Sequence, residues 1–444
     1  MSLHPSSSWA PKVGLVLTGG GARAAYQVGV LQAIATMLPK RTRTPFPVIC
    51  GTSAGAFNAA VLAISARNFQ EGVRRLSAVW ENAHVNQAYR TDPLGVYGNA
   101  ARWLASLLFG SLKKQGATSL LDNSPLAQLL KSSLPLQGIQ KSIDTGALHA
   151  LGITAWGYTS GQSVTFYQGA DSIRSWKRER RIGVAVPIEI EHLLASSAIP
   201  LLFPAVRLNR EYFGDGSMRQ LAPLSPALHL GADRVLVIGV RKIEETQPER
   251  VKVDSYPTLA QIGGHIMSSI FLDNLYVDLE RLQRINRTLR MIPEENMRDH
   301  DMPLRQIQHM VISPSVEFTE IAQHHAATLP HTIRLFYRAI GAMRRDGSSL
   351  LSYVLFEEPF CRALIDLGYQ DTLPRKAELL RFLDAAPING PIQADLSDTG
   401  IIRNPVPGIS CTPWSLHLIP YFSETSYGPC QSAILGCRTP DYRH

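Results

Sequence analysis

Two glycine-bearing segments have the residue types that acyl transfer requires. Gly19, Gly20 and Gly21 stand together near the start of the chain, and Ser53 lies at the centre of a Gly-Thr-Ser-Ala-Gly segment. Asp215 comes much later, between two glycines. A serine held between glycines is typical of a nucleophile on a tight turn. Consecutive glycines let backbone N–H groups point at an anion, so the first segment is a candidate oxyanion-binding turn.

Predicted strands precede both turns, and predicted helices follow them. Residues 13–17 are nearly all apolar, as in parallel strands covered on both faces, and residues 47–50 lead directly into the serine segment. Apolar helical patterns follow over residues 22–38 and 56–66. Turns that follow neighbouring parallel strands lie at the same edge of a sheet. We therefore expect the N–H donors and the serine to lie side by side.

The rest of the chain indicates an α/β fold with a mostly parallel central sheet. Residues 153–156 and 163–167 predict a β-hairpin, and residues 212–216 predict a strand whose terminal turn carries Asp215. Other strands are predicted at residues 206–208, 235–240 and 310–313. Beyond Arg241 the pattern becomes mostly helical, which predicts a set of C-terminal helices.

Three motifs and several connecting segments resemble the patatin-like phospholipase family, in the order usual for that family. The motifs are Gly19-Gly20-Gly21-Ala22-Arg23, Gly51-Thr52-Ser53-Ala54-Gly55 and Asp215-Gly216-Ser217, and the connecting segments are residues 121–126, 196–200 with 203–204, and 231–233. Ser217 stands where the family usually has glycine or alanine. The resemblance covers about residues 12–330. It implies a lipid acyl hydrolase on a three-layer α/β fold.

The resemblance also implies a catalytic dyad of Ser53 and Asp215 without a catalytic histidine. Ser53 would attack an acyl ester, and Asp215 would accept the serine proton and deliver it to the leaving group. The predicted oxyanion hole comprises the N–H groups of Gly19, Gly20 and Gly21. The supporting residues are Arg23, which braces the glycine loop or meets a phosphate, and Gly51, Gly55 and Gly216. We expect no metal and no other cofactor, and a membrane phospholipid or another acyl lipid as substrate.

A nucleotide-binding function is one alternative that the sequence leaves open. Gly19, Gly21 and Ala24 follow a strand with the spacing of a dinucleotide-binding turn, and Arg41 or Arg43 would then bind a 2′-phosphate. The chain would be an NADP oxidoreductase in that case. Against this reading, the second strand ends in Gly-Thr-Ser-Ala-Gly instead of a ribose-binding residue.

Two further alternatives concern the chemistry of Ser53. In a Ser-Asp-His triad, His229 or His265 would complete the site, although only two predicted strands precede Ser53, fewer than is usual in α/β-hydrolases. In the last alternative the chain is a catalytically silent membrane-binding or signalling module. Cleavage of any ester would exclude that reading.

The composition narrows the class of protein. With 444 residues, of which 45% are hydrophobic, the chain fits a large α/β domain with a smaller appendage. The net charge of +8 is spread along the chain, so we favour an anionic membrane surface over nucleic acid as a partner. Five cysteines, with Cys50 in a predicted buried strand, indicate a reducing compartment. No signal peptide or transmembrane run is recognised, so we expect a cytoplasmic protein with peripheral membrane contact.

Two segments combine aromatic and basic residues. A loop is predicted over residues 91–98, and after it residues 102–114 place Trp103 and Phe109 among leucines between flanking cations. This composition is typical of a helix in a bilayer interface, but it also fits a helix that packs on the core. Residues 176–181 form a positive cluster that either guides anionic headgroups or is simply solvated.

The domain organisation has three predicted parts. Residues 12–330 form the catalytic domain, and residues 331–386 form a helical extension that we interpret as a cap or a dimerisation element, which leaves a homo-oligomer open. From residue 387 to residue 444 there are eight prolines, three cysteines and no lysine, without sustained periodicity. This composition predicts a tail that is disordered or non-native.

Overall fold

In the computed structural model the chain is an α/β protein built on one mixed sheet. The structure describes residues 12–109, 119–243, 256, 258–271, 273–292, 304–344 and 347–384. The predicted tail over residues 387–444 therefore lies outside the described residues. The strands are Val13–Leu17 (β1), Val48–Thr52 (β2), Ala150–Gly157 (β3), Ser163–Gly169 (β4), Trp176–Arg178 (β5), Arg181–Ala185 (β6), Val206–Leu208 (β7), Glu211–Asp215 (β8), Arg234–Ile238 (β9) and Gln308–Ile312 (β10).

The centre of the sheet is parallel, as the sequence predicts. Its strands follow the order β10, β9, β1, β2, β3, β4, β6, β5, and the first five of these are parallel to one another. Strand β4 pairs antiparallel with β3, which confirms the predicted hairpin. Strand β8 also pairs antiparallel with β3, and β7 pairs with β8.

Helices cover the sheet and connect its strands. Those of the first half are Ala25–Met37 (α1), Ala54–Ile64 (α2), Phe69–Trp80 (α3), Val85–Ala88 (α4), Pro93–Phe109 (α5), Ser124–Ser133 (α6), Gln137–Asp144 (α7), Ile190–Ser196 (α8) and Ser225–His229 (α9). Those of the second half are Leu259–Phe271 (α10), Asp273–Met291 (α11), Phe318–His325 (α12), His331–Ala339 (α13), Ser348–Val354 (α14), Glu358–Thr372 (α15) and Lys376–Asp384 (α16).

The side chains of β1 show that the fold has three layers. Leu15 and Leu17 point into a large core that α1, α2, α3 and α15 share, whereas Val16 points into a second core against α9 and α11. Alternate residues of a strand face opposite sides of the sheet, so helices cover both faces. This arrangement confirms the predicted three-layer α/β fold.

The helix α5 corrects one prediction. The sequence predicts a loop over residues 91–98, but the helix begins at Pro93. Proline is favourable at the first position of a helix, and the Asp92 carboxylate accepts a hydrogen bond of 2.8 Å from the Gly95 N–H. Residues 110–118 lie outside the described residues, and so do the side chains of residues 104 and 106–109, so the predicted interfacial face of this helix stays a prediction. In the part of the chain that the structure describes, no helix has the length and apolar character to cross a membrane.

The C-terminal helices pack directly against α1. A Cβ atom placed on Gly29 of α1 would lie 1.8 Å from the Ile365 carbonyl oxygen of α15, and one placed on Gly368 would lie 2.2 Å from the Tyr26 carbonyl oxygen. Phe360 of α15 is fully buried in the same core as the central strands. Helices from the proposed extension over residues 331–386 thus complete the core that supports the sheet.

This close contact predicts different effects of one substitution at two glycines. Gly29→Ala forces α1 and α15 apart and should lower the free energy of unfolding by about 2–3 kcal/mol. In the matched control, Gly98→Ala, the added methyl group of α5 meets no atom within 4 Å. Alanine is the better helix former, so the control should raise the free energy by about 0.5–1 kcal/mol. Urea unfolding of both variants measures the difference, and equal effects would contradict the described packing.

Candidate active site

Ser53 lies on a strained turn between β2 and α2. Its backbone angles are φ 55° and ψ −129°, a conformation that costs a residue with a side chain about 1–3 kcal/mol. Two residues later, a Cβ atom on Gly55 would lie 2.3 Å from the Leu17 carbonyl oxygen at the end of β1. Only glycine lets α2 start this close to β1, which explains the Gly-x-Ser-x-Gly pattern physically.

The sheet register brings Asp215 to Ser53. Strand β2 ends where Thr52 pairs with Thr154, and β8 pairs with the following part of β3, where Asp215 is opposite Ala155. Ala155 and its neighbours pair with β4 along the other edge of β3, so β2 and β8 share the remaining edge. The two strands run towards each other, and their ends meet at Ser53 and Asp215.

Asp215 is fully buried and only partly satisfied. Its Oδ1 accepts a hydrogen bond of 2.9 Å from the Ser217 N–H, while Oδ2 has no hydrogen-bond partner within the described residues. Burial raises the pKa of this carboxyl to about 6, and the nearby Ser53 hydroxyl and Ser217 oppose that rise. The side chain is therefore a desolvated carboxylate near neutral pH, with one oxygen free to accept a proton.

Ser196 was missed as a site residue by the sequence interpretation, which treated it as part of a connecting segment. Its hydroxyl accepts a hydrogen bond of 2.9 Å from the Ser53 N–H and donates one of 2.6 Å to the Thr154 carbonyl oxygen. Two residues on, the Ala198 carbonyl oxygen accepts a hydrogen bond of 2.9 Å from the Asp215 N–H. Residues 196–198, at and just after the end of α8, thus contact both members of the predicted dyad.

The glycine turn follows β1, which is the neighbour of β2. Gly21 has a φ of 55° and lines the same cavity as Ser53. A Cβ atom at Gly21 would lie 2.1 Å from the Tyr353 carbonyl oxygen, so no other residue fits there. Gly20 precedes it at the start of a short 3₁₀ helix, and Gly19 lines a small adjacent cavity together with Ser217.

Arg23 points away from solvent and braces the C-terminal helices. Its Nε donates a hydrogen bond of 2.8 Å to the Ser352 hydroxyl, and its guanidinium carbon lies 3.9 Å from the centre of the Tyr353 ring. Burial lowers the pKa of this guanidinium. With 3% of its surface exposed, Arg23 fits the bracing role better than the contact with a phosphate.

A buried chain of polar side chains holds the helices around the site. Trp80 Nε1 donates to Asn58 Oδ1 (2.8 Å), Asn58 Nδ2 donates to Gln27 Oε1 (2.9 Å), and Gln27 Nε2 donates to the Thr18 carbonyl oxygen (2.8 Å). These bonds join α3, α2 and α1 to the residue after β1. Every amide in the chain of bonds is paired, so the network fixes the two turns relative to each other.

An apolar cavity of about 110 Å³ opens beside Ser53. Its wall combines side chains from α2, α3, α6, α8 and the segment after α14, including Phe57, Trp80, Leu130, Leu193, Ile199 and Phe356. Trp80 and Phe356 stack with ring centres 6.2 Å apart. Such a lining suits a hydrocarbon chain and offers few partners to a polar ligand.

Three histidines bear on the triad alternative. His229 Nδ1 lies 2.8 Å from the Ser225 carbonyl oxygen, and its ring stacks on Trp176 at 4.9 Å between centres. His265 is exposed on α10. His84 is the histidine on the cavity wall, where its Nδ1 lies 3.5 Å from the buried Glu357 carboxylate. Among the described residues, no three His, Cys, Asp or Glu side chains gather as metal ligands would.

A serine on a strand-to-helix turn, a buried carboxylate and a glycine turn beside an apolar cavity have the arrangement of an acyl-hydrolase site. Residues 15–228 match the sequence model of the patatin-like phospholipases. This part of the chain belongs to the patatin-like phospholipase family.

Individual relatives are more distant. Over 215 residues the chain is 28% identical to a cGAMP-activated phospholipase of Pseudomonas aeruginosa, a match that covers 48% of this chain and 55% of that protein. The chain thus spans about half the length of this curated relative. Among solved structures, human GIVD cytosolic phospholipase A2 has a TM-score of 0.37 at 11% identity, covering 84% of this chain and 60% of that one. VipD from Legionella pneumophila has a TM-score of 0.31 at 13% identity, covering 83% and 67%.

The buried Asp215 predicts a dependence of stability on pH. Its pKa is higher in the folded state, about 6, than the ordinary 3.8, so the folded state loses stability as pH rises through this interval. Asp215→Asn removes the buried charge and should raise the free energy of unfolding above pH 7 by up to about 3 kcal/mol. The gain should vanish near pH 4.

Urea unfolding of Asp215→Asn at several pH values measures this gain. Asp171→Asn is the control, since Asp171 is exposed and its substitution should change the free energy of unfolding by less than about 0.5 kcal/mol. A variant Asp215→Asn that is less stable than the wild type at pH 7.5 would contradict the assignment.

Proposed function

We propose that this protein is a lipid acyl hydrolase that uses Ser53 and Asp215 as a catalytic dyad through an acyl-enzyme. The observation that carries the proposal is the meeting of β2 and β8 on one edge of β3, beside an apolar cavity. The family of residues 15–228 supports a lipid ester as the substrate. The substrate class that follows is a phospholipid, a lysophospholipid or another acyl lipid.

In the first half-reaction Ser53 Oγ attacks the carbonyl carbon of the ester. Asp215 accepts the hydroxyl proton, with Oδ2 as the acceptor because Oδ1 is already bonded to the Ser217 N–H. A carboxylate in water is a weak base, and its burial makes Asp215 a stronger one. The apolar cavity holds the acyl chain, so the carbonyl group is directed towards Ser53.

The glycine turn would stabilise the tetrahedral intermediate. We assign the N–H groups of Gly19, Gly20 and Gly21 as donors to the oxyanion, each worth about 3 kcal/mol in related acyl transfers. Gly21 supports this role because it lines the cavity next to Ser53. Asp215 then passes its proton to the alcohol oxygen that leaves, and the acyl group stays on Ser53.

In the second half-reaction water takes the place of the alcohol. Asp215 accepts a proton from the water as it attacks the acyl-enzyme, and Ser53 regains its proton when the fatty acid leaves. Every proton step uses the same carboxylate, so the scheme needs no histidine. The hydrogen bond between the His229 ring and the Ser225 carbonyl oxygen supports a scheme without a catalytic histidine.

The nucleotide alternative is the weaker one. Arg41 and Arg43, its phosphate-binding candidates, are exposed on the loop after α1, whereas the glycine turn lies beside an apolar cavity. An anionic membrane surface remains the proposed site of action, since the chain carries a net charge of +8. Peripheral binding there would present lipid to the cavity.

Loss of either dyad residue should abolish hydrolysis in a folded protein. Ser53→Ala and Asp215→Asn should each lower kcat/KM for a nitrophenyl ester and for anionic phospholipid vesicles by at least about 10³-fold. A fluorophosphonate probe should label the wild type and not Ser53→Ala. Asp278→Asn is the matched control, because Asp278 is also buried but accepts its hydrogen bond from Leu224 on the opposite face of the sheet. Full activity in Ser53→Ala would end the proposal.

The acidity of Asp215 predicts the pH profile of hydrolysis. The base must be ionised to accept the serine proton, so kcat/KM should rise about tenfold per pH unit below pH 6 and level off above it. Initial rates on a soluble ester between pH 4.5 and pH 8.5 give the profile, with buffers matched in ionic strength. A midpoint near pH 4, the ordinary value for an exposed carboxyl group, would be inconsistent with a desolvated base.

Neither a metal nor a nucleotide takes part in the proposed chemistry. Hydrolysis of a soluble ester should therefore persist in excess chelator and in the absence of cGAMP. The nucleotide is included because the Pseudomonas aeruginosa relative is named as cGAMP-activated. Activity that appears only with cGAMP would make the nucleotide an activator of this chain, and activity lost to the chelator would require a metal.

A further inference from the structure

Residues 196–198, at and just after the end of α8, contact both Ser53 and Asp215. The Ser196 hydroxyl is bonded to the Ser53 N–H, and the Ala198 carbonyl is bonded to the Asp215 N–H. Nothing in the chemistry proposed above uses these bonds. We propose that Ser196 is a positioning residue, which holds the nucleophile turn in its strained conformation and at a fixed distance from Asp215. This inference rests on the proposed function.

The Ser196 hydroxyl fills two hydrogen-bonding roles at once. It accepts from the Ser53 N–H at 2.9 Å and donates to the Thr154 carbonyl at 2.6 Å, and the side chain is fully buried. Thr154 is the residue of β3 that pairs with the last residue of β2 and precedes the partner of Asp215. Ser196 thereby links the Ser53 turn to β3, the strand whose pairing with β2 and β8 fixes the positions of both dyad residues.

The strained backbone of Ser53 gives the hydrogen bond to Ser196 a function. A residue with a side chain at φ 55° persists only where the surrounding structure holds it. The Ser53 N–H is the backbone group nearest to the strained angle, and the Ser196 hydroxyl binds it directly. Without that hydroxyl the turn can relax, and Ser53 Oγ moves relative to Asp215 and the glycine turn.

A side-chain hydroxyl is the group that this position requires. The side chain must be short and must both donate and accept a hydrogen bond, because both partners are backbone groups in a densely packed region. Alanine leaves two buried backbone groups unpaired, and cysteine offers only a weak donor. Threonine keeps the hydroxyl and adds a methyl group.

Different residues of the segment 193–199 line the cavity and hold the Ser53 turn. Leu193 and Ile199 lie on the wall of the cavity, whereas Ser196 is bonded to Ser53 and Thr154. Shortening Leu193 should therefore act mainly on KM, and removing the Ser196 hydroxyl should act mainly on kcat. A merely structural role for Ser196 would lower the folded fraction and leave the kinetics of the folded molecules unchanged.

The test compares the wild type with Ser196→Ala, Ser196→Thr and Ser142→Ala. Ser142 is the matched control: it is also fully buried and donates to a backbone carbonyl, that of Ile64, at the far end of α2. The measurements are kcat and KM on a soluble nitrophenyl ester, the rate of labelling by a fluorophosphonate probe, and the unfolding temperature, with all rates taken well below that temperature. Ser196→Cys replaces Ser196→Ala if the alanine variant does not fold, since the thiol keeps the buried volume.

We expect Ser196→Ala to lower kcat and the labelling rate by about 100-fold with little change in KM, the effect of a small misplacement of reacting groups. Ser196→Thr should recover most of both rates, and Ser142→Ala should keep both rates while losing stability. Labelling of folded Ser196→Ala at the wild-type rate would overturn the inference and leave the proposed function intact. A threonine variant as slow as the alanine variant would also overturn it. A wild type that neither labels nor hydrolyses the ester would remove the proposed function and this inference together.

Discussion

The structure depends on one edge of β3 being shared by two strands. Strand β2 pairs with residues 150–154 in the parallel direction, and β8 pairs with residues 155–157 in the antiparallel direction. Parallel strands need helical crossovers, so β2 leads directly into α2, whereas β8 enters from the opposite side. Two chain ends therefore face each other in the middle of the sheet. This geometry puts Ser53 and Asp215 together although they are far apart in sequence.

A site built in this way carries costs that the rest of the fold offsets. Ser53 holds a strained backbone, and Asp215 is a fully buried carboxyl group whose Oδ2 has no hydrogen-bond partner in the part of the chain that the structure describes. Both features destabilise the folded state, and both suit a nucleophile and its base. The paired network of Gln27, Asn58 and Trp80 and the close contact between α1 and α15 supply rigidity around them.

The sequence predicts those features of the site that are local. The glycines and Ser53 lie within short motifs that follow apolar strands, so their turns and their helices could be predicted from the residues alone. Asp215 was assigned through the family resemblance, because the register that brings it to Ser53 arises from pairing with β3. Ser196 lies 143 residues from Ser53, and no local pattern indicates that its hydroxyl bonds to the serine N–H. Likewise, Asp92 and Pro93 start a helix where glycine and proline suggested a loop.

The C-terminal helices explain why the family match alone does not define the substrate. Residues 15–228 match the family and contain Ser53, Asp215 and the glycine turn, but Tyr353, Val354 and Phe356 come much later and form part of the cavity wall. The bond from Arg23 to Ser352 holds this later segment against the glycine turn. The groups proposed to react thus come from one part of the chain, and a share of the surface that would contact the acyl chain comes from another. Under the proposed function, changes in the helices after residue 331 would alter which hydrocarbon fits the cavity without altering Ser53 or Asp215.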